Sequence, residues 1–213
     1  MDLAILFRDS RFVVIDKPAG LKVHPGPGGG PSVEDFFPTL SRRRDGPWLA
    51  HRLDADTAGC LVIALRRAAL HEAQAAFAAG TVEKTYWAVV HGDPPAPSGT
   101  IDAPLLKRTD RQGWRMAVDQ AGQPAITDWT IRGRAGETTW LELHPRTGRT
   151  HQVRAHCAHL GFSVVGDPIY GNADAPLHLL ARAIALPLAP PLTATAPVPP
   201  HMRAALEACG YRD

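Results

Sequence analysis

The stretch HRLDADTAGCLVIALRRAALHEAQAAFAAG, residues 51–80, carries the clearest fold signal in this sequence. A polar loop leads into the continuous apolar run 60–65, which has the length of a buried strand. An alanine-rich helix is predicted over 67–79, and Gly80 stands where a left-handed helix cap is expected. Residues 51–80 therefore predict a loop, a strand and a helix in that order.

Further strand signals surround this segment on both sides, separated by Gly, Pro and Asp turns. The predicted strands lie at 4–7, 12–16, 85–90, 125–131 and 138–143, and the predicted helices start at Ser32, at 150 and at 199. Since the strands mostly follow one another without helical crossovers, we predict an α+β fold with a largely antiparallel sheet. The chain, 1–213, is predicted to form a single domain.

The composition narrows the class of protein. The 213 residues are 45% apolar and 21% charged, with a formal net charge of +2, which predicts a globular rather than a disordered chain. The longest apolar-looking stretch, 181–191, is interrupted by Arg182 and by prolines, so no membrane-spanning helix is expected. Three cysteines without a CxxC pair, and a start without a basic leader, predict a cytoplasmic protein. The near-neutral charge neither indicates nor excludes a nucleic-acid partner.

The loop 51–59 offers a candidate catalytic carboxylate. Asp54 follows Arg52 at the junction of the loop with the strand, where an arginine can keep a carboxylate ionised and aimed at a substrate. On local sequence alone, Asp54 and Asp56 more commonly cap turns and pair with Arg52. The loop motif by itself does not decide between these roles.

The segment GRTHQVRAHCAH, 148–159, offers a candidate anion-binding site. Arg149, His151 and Arg154 lie at a predicted helix start, where backbone N–H groups and cations together bind anions. Arg149 and Arg154 are roughly 140° apart around a helix, so they need not share a face. His156 and His159 could share a zinc ion, but neither an HExxH pattern nor a cysteine pair supports this. We predict no metal site.

Two further features have both an ordinary and a functional interpretation. Tyr86, on a predicted strand, can simply pack there, or it can stack under a planar ring and transfer a proton. The basic runs at 42–44 and in the turn region 107–115 are usually solvated faces, but they could also contact phosphates. None of these features decides the function alone.

Six stretches of the sequence are more specific together than singly, because all of them occur in one chain and in a fixed order. They are VVIDKPAG (13–20), HRLDADTAG (51–59), KTYWAVVHG (84–92), GQPAITDW (122–129), GRTHQVRAHCAHLGFSVVGDPIYG (148–171) and LHLLA (177–181). Together they closely resemble the RluA family of RNA pseudouridine synthases over nearly the whole chain. The resemblance implies a curved, mainly antiparallel sheet flanked by helices, with the active cleft across it. It also implies isomerisation of uridine to pseudouridine within RNA, without a metal or an organic cofactor.

The resemblance implies a role for individual residues. Asp54 matches the catalytic carboxylate, and Arg154 would pair with it. Tyr86 would stack on the target base and take part in proton transfer. Arg52 would occupy or brace the base stack when the nucleotide leaves it. The other candidate contacts with RNA or substrate are Leu53, Arg149 and His151.

The chemistry narrows the kind of RNA. A stacked base must be flipped out to be reached, at a cost of about a few kcal/mol, and this cost is lowest in loops. We therefore expect a specific uridine in a structured stem-loop of rRNA or tRNA. Arginines 52, 149 and 154 are expected to form a local positive groove on an almost neutral protein.

The start of the sequence at the catalytic motifs leads us to expect no N-terminal S4-like RNA-binding domain. Target choice would then depend on the loops 25–31, 41–47 and 107–115. The protein is expected to be a monomer with no obligate protein partner. The alternative hypothesis is a catalytically inactive RNA-binding protein with the same fold, which the presence of Asp54, Tyr86 and Arg154 argues against.

Overall fold

The computed structural model of the protein describes residues 3–26, 28–43, 45–111 and 113–212. These residues form twelve strands and four α-helices. The chain divides into two compact units, Met1–Lys84 with Ala181–Pro197, and Thr85–Leu180 with Val198–Asp213. The single domain expected for 1–213 stays a prediction.

The first unit contains a short antiparallel sheet. Its elements are β1 (Ala4–Arg8), β2 (Phe12–Lys17), α1 (Phe37–Leu40), β3 (Trp48–Leu49), β4 (Ala58–Ala64), α2 (Arg67–Ala78), the larger part of β11 (Leu179–Leu186) and β12 (Leu192–Thr195). The strand order is β1-β2-β4-β11, with β3 beside β4 and β12 beside β11. The pairings of β1 with β2, β2 with β4, β3 with β4 and β11 with β12 are antiparallel.

The core of the first unit explains why its strands are apolar runs without alternation. All seven residues of β4 are buried, as are the first four of β2, so both faces of these strands are covered. The small side chains Ala69 and Ala73, one helical turn apart, are the buried residues of α2. Gly80 follows the helix with φ +69°, which confirms the predicted left-handed cap.

The second unit is built on four antiparallel strands and a separate hairpin. Its elements are most of β5 (Glu83–His91), β6 (Ser98–Asp102), β7 (Leu105–Asp110), β8 (Gly113–Val118), β9 (Ile126–Ala135), β10 (Thr138–Pro145), α3 (Gln152–His159) and α4 (Pro200–Ala208). The strand order is β5-β10-β9-β6, and each pairing is antiparallel. Val153 and Cys157 of α3 pack with Leu141 and Leu143 of β10 in the core, so the core fixes α3 against the sheet.

The structure confirms the predicted strands and helices, adds the strands β3, β6, β11 and β12, and corrects one region. Within 107–115, expected as a turn region, residues 107–110 belong to β7 and residues 113–115 to β8, which pair as a hairpin. Polar residues occupy both faces of this hairpin, as in the run Lys107, Arg108, Thr109 and Asp110, so the period-two apolar signal of a strand is missing. No helix among the described residues has both the length and the apolar character needed to cross a membrane.

Candidate active site

Asp54 lies in a tight turn directly before β4. Its backbone carbonyl accepts a hydrogen bond from the Thr57 N–H at 3.2 Å, which closes the turn. The Asp54 side chain is half-buried and that of Arg52 is exposed. Leu53 is only 6% exposed, so it packs into the protein behind the loop. The loop position predicted for Asp54 is therefore what the structure shows.

His51 anchors the start of this loop. Its Nε2 accepts a hydrogen bond from the Val62 N–H of β4 at 3.0 Å, and its ring packs on Phe77 of α2 with centroids 5.0 Å apart. Burial lowers the pKa of His51 to about 4, so the ring is neutral at pH 7 and can accept this bond. His51 is thus a structural anchor of the loop rather than a phosphate-binding cation.

Lys17 fixes the residue that follows Asp54. Its side chain is fully buried, and Nζ donates to the carbonyls of Pro18 at 2.8 Å, Leu21 at 2.8 Å and Ala55 at 2.6 Å. These bonds tie the loop to the turn that follows β2. The sequence alone did not assign a role to Lys17, although Lys17 lies within the family motif VVIDKPAG.

The Lys17 ammonium also sets the charge environment beside the loop. Burial lowers the pKa of Lys17 to about 8, while the nearby carboxylates of Asp56, Asp54 and Asp16 act in the opposite direction. The carboxylates of Asp56, Asp54 and Asp16 therefore stabilise the buried Lys17 ammonium. In the first unit, Asp54 lies in a braced turn next to a buried cation.

Gln152, the first residue of α3, organises the GRTHQ segment. Its Oε1 accepts hydrogen bonds from the Thr147 Oγ1 at 2.8 Å and the Arg149 N–H at 2.9 Å. Its Nε2 donates to the Ile126 carbonyl at 2.9 Å and to Thr127 Oγ1 at 3.0 Å. The buried amide therefore holds the turn before α3 against β9, a role that sequence reasoning missed.

His156, one turn further along α3, is a neutral core residue. Its Nε2 lies 3.0 Å from the Ala103 carbonyl, which can only accept, so this nitrogen carries the proton. Its Nδ1 then accepts from the Thr127 hydroxyl at 2.9 Å, and burial lowers the pKa of the ring. Both ring nitrogens are engaged by protein groups, and the described residues contain no group of three or more ligand-type side chains placed to hold a metal.

Arg154 is held by a partner that sequence reasoning missed. Its Nε and Nη2 donate to the two carboxylate oxygens of Asp167 at 2.8 and 2.7 Å, and the two side chains are 3% and 0% exposed. Asp167 Oδ1 also accepts from the N–H groups of Ile169 and Tyr170. Burial raises the pKa of Asp167, but Arg154 and these N–H groups lower it more, so the net shift is downward and the carboxylate stays ionised.

Tyr170 brings two of the predicted residues together. The Arg154 guanidinium lies over its ring at 5.5 Å, and its hydroxyl oxygen lies 3.2 Å from His151 Nδ1. The same hydroxyl accepts a hydrogen bond from the Met116 N–H of β8 at 2.9 Å. Arg149 points elsewhere, because its Nε donates to the Pro124 carbonyl at 3.0 Å. The signal that could have identified Asp167 and Tyr170 is their place in the quoted GDPIYG stretch.

Tyr86 lies on β5 opposite Leu143 of β10 and packs, half-buried, against the core of the second unit. Its stacking on the target base stays a prediction. The pairing of Arg154 with Asp54 and the positive groove formed by arginines 52, 149 and 154 also stay predictions. Each unit holds its own candidate residues in a defined framework.

Comparisons with known proteins point to one family. The profile described as RNA pseudouridylate synthase matches residues 11–159. An RNA pseudouridine synthase of Zymomonas mobilis is 39% identical over 204 residues, which covers 92% of this chain and 93% of the relative. A ribosomal large subunit pseudouridine synthase D of Xanthomonas campestris is 42% identical over 177 residues, which covers 80% of this chain and 52% of the relative.

The solved structures agree with these relatives. Human RNA pseudouridylate synthase domain containing 4 superposes with a TM-score of 0.82 at 27% identity, covering 97% of this chain and 92% of that one. This likeness confirms the α+β pseudouridine synthase fold, and the family match confirms the resemblance seen in the motifs. The chain belongs to the RluA family of RNA pseudouridine synthases, isomerases that act on RNA.

Proposed function

We propose that this chain isomerises a specific uridine of ribosomal RNA, with Asp54 as the catalytic carboxylate. The observation that carries the assignment is the braced turn of Asp54, with Lys17 bound to the next residue by its 2.6 Å bond to the Ala55 carbonyl. A catalytic carboxylate that acts on a sugar must be held in a fixed position relative to it. An aspartate that only caps a turn does not require a buried ammonium group bound to the following residue.

The reaction exchanges one bond of the ribose for another. The C1′–N1 glycosidic bond breaks while Asp54 acts on the ribose, the detached uracil rotates, and C1′ bonds to C5. The C5 proton is then lost and N1 gains a proton, so every atom of the nucleotide is conserved. Since the step is redox-neutral, the proposal requires no oxidant or reductant.

The other candidate residues serve this exchange in the proposal. Tyr86 stacks on the target base and assists proton transfer, and Arg154 pairs with the Asp54 carboxylate to keep it ionised. Arg52, which is exposed, takes the place of the flipped base in the stack. Leu53, Arg149 and His151 contact the RNA or the substrate nucleotide in this proposal.

Ribosomal RNA is the favoured substrate because of the relatives. Several of them are named ribosomal large subunit pseudouridine synthase C or D, whereas transfer RNA is the alternative substrate. A pseudouridine map of ribosomal and transfer RNA from a strain lacking the gene separates the two. We expect one or more ribosomal sites to be lost, and loss confined to transfer RNA would contradict the ribosomal assignment.

The cellular setting of the proposal is the cytoplasm, where RNA substrates reside and thiols stay reduced. The three cysteines are free and buried, which agrees with a reducing compartment. We further propose that the protein acts on RNA as a monomer. Sedimentation of the purified protein with and without RNA tests this stoichiometry.

The role of Asp54 is tested with RNA tritiated at uridine C5. Tritium release should fall by a factor of about 10³ or more in Asp54→Asn, because the amide can neither attack nor accept a proton as the carboxylate does. Asp56→Asn, two residues along the same loop, is the matched control and should stay within about tenfold of wild type. Equal release by wild type and Asp54→Asn would remove Asp54 from the mechanism. Salt-sensitive RNA binding by a wild type that forms no pseudouridine would favour the inactive RNA-binding alternative.

A further inference from the structure

An exposed tryptophan on a basic hairpin is unexplained by the reaction. Trp114 of β8 is 42% exposed and is the one aromatic among the large exposed apolar side chains of the described residues. Its indole stacks on the His151 ring with centroids 4.8 Å apart and an interplanar angle of 23°. Exposed large aromatics in this arrangement are typical of binding surfaces.

We propose that Trp114, supported by His151, is a stacking site for a nucleobase of the RNA other than the isomerised uridine. This inference rests on the proposed function, because it takes RNA as the substrate. An indole offers every base a flat apolar face, and stacking of a base on an aromatic side chain is a common mode of single-stranded RNA recognition.

Cations around Trp114 match the phosphates that flank a stacked base. Lys107 Nζ lies 4.9 Å from the Trp114 ring centroid, and Arg108, Arg111 and Arg115 of the same hairpin are exposed. Arg108 and Arg115 contact Asp119 and Asp110, but exposed ion pairs contribute little and exchange readily for phosphate. A base arriving at Trp114 can displace the Lys107 ammonium towards the backbone of the RNA.

The stacked pair of Trp114 and His151 is held in place by α3 and by Tyr170. The His151 carbonyl accepts from the Ala155 N–H of α3 at 2.8 Å, and His151 itself has φ +52°, a backbone conformation unusual for a non-glycine residue. The Tyr170 hydroxyl contacts both His151 Nδ1 and the Met116 N–H. This single hydroxyl therefore positions both the His151 ring and β8, the strand that carries Trp114. Such preorganisation lowers the entropic cost of binding.

Steady-state kinetics of tritium release test the site. Trp114→Leu should raise KM by about tenfold, the loss expected for one stacked base, with kcat within about twofold of wild type. Trp114→Phe should restore most of the affinity because it retains an aromatic face. Ile5→Ala, which removes an exposed apolar side chain of the first unit, is the control and should leave both parameters unchanged.

An unchanged KM in Trp114→Leu would overturn the inference, with or without a fall in kcat, since a base-stacking site acts through substrate affinity. Circular dichroism and the Tm of each variant identify any misfolded protein. RNA binding to the Asp54→Asn protein provides a second measurement that does not depend on turnover. RNA should quench more tryptophan fluorescence in Asp54→Asn than in the double variant Asp54→Asn with Trp114→Phe. Equal quenching would contradict the site.

The same experiments separate this inference from the proposed function. A wild type that releases no tritium from any cellular RNA refutes the proposed function. The fluorescence comparison then still measures whether RNA stacks on Trp114. Normal turnover with no effect of Trp114→Leu refutes the stacking site alone.

Discussion

At the scale of single residues, solvent exposure separates two arginine–aspartate pairs of similar geometry. Arg154 and Asp167 form a bidentate pair that is almost fully buried. Arg146 and Asp128 form a bidentate pair at 2.6 and 2.8 Å on the surface. Removing one partner of a buried pair leaves an uncompensated charge in a medium of low polarity, whereas water takes the place of a lost partner on the surface.

Asp167→Asn should therefore lower the free energy of unfolding by about 3–5 kcal/mol. The amide can still accept from the backbone, but it no longer neutralises the buried Arg154 guanidinium. Urea unfolding at pH 7 measures the change. Asp128→Asn is the matched control and should cost less than about 1 kcal/mol. Similar losses for the two variants would contradict the distinction based on burial.

At the scale of elements, the base of the β7–β8 hairpin depends on a glycine. Leu105 and Gln123 exchange two backbone hydrogen bonds of 2.9 Å, which bring residue 122 against β7. A Cβ placed on Gly122 would lie 2.5 Å from the Leu105 carbonyl carbon. Only a glycine allows this approach, since the obstacle is backbone rather than a movable side chain.

Gly122→Ala should destabilise the protein by about 1–3 kcal/mol, the usual cost of overpacking, and should speed amide hydrogen exchange in β7 and β8. Gly28→Ala is the control, because a Cβ there meets nothing within 4 Å and should change stability by less than about 0.5 kcal/mol. Thermal unfolding and hydrogen exchange by mass spectrometry measure both effects. Unchanged exchange in the hairpin would show that the contact at Gly122 does not hold it.

At the scale of the whole molecule, Lys17 should make stability depend on pH. Its folded-state pKa of about 8 lies below the value of about 10.4 for an unfolded lysine. Between these values the unfolded chain binds more protons, so the free energy of unfolding should rise with pH, by at most about 1.4 kcal/mol per pH unit. The cost of burying the Lys17 charge is present below pH 8 and is relieved as the pH rises towards 10.

Lys17→Met removes this contribution and leaves the other titrating groups in place. The difference in unfolding free energy, wild type minus variant, should therefore grow between pH 8 and pH 10. Urea unfolding of both proteins across pH 6–10 measures it. A difference that stays constant or shrinks above pH 8 would contradict the assignment of a lowered pKa to Lys17.

Whole-molecule charge also shows why composition gave little information about the partner. The formal net charge is only +2, yet exposed cations gather on the hairpin at Lys107, Arg108, Arg111 and Arg115. Arg154, by contrast, is buried and paired with Asp167. The net charge cannot distinguish these cases, because it counts a buried paired arginine and an exposed one equally.

Local patterns in the sequence were enough for the main elements and the family. The apolar run 60–65, Gly80 and the motif order each reflect chemistry within a few residues or a few neighbouring turns. The strands β7 and β8 were not predicted, because their exposed faces are polar and lack the apolar alternation of a half-buried strand. Asp54 could be chosen from its motif, but nothing local showed what holds its turn.

The tertiary structure alone decided which residues support the candidate groups. Lys17 reaches Ala55, 38 positions away, Arg154 forms a bidentate pair with Asp167, and Trp114 of the hairpin stacks on His151, which precedes α3. Sequence periodicity describes how a segment presents its own faces, whereas a buried charge selects its partner by the distances that the folded core imposes. The sequence by itself therefore determined the elements, the family and the candidate catalytic residues, and the fold determined their supporting contacts and the exposed surface beside them.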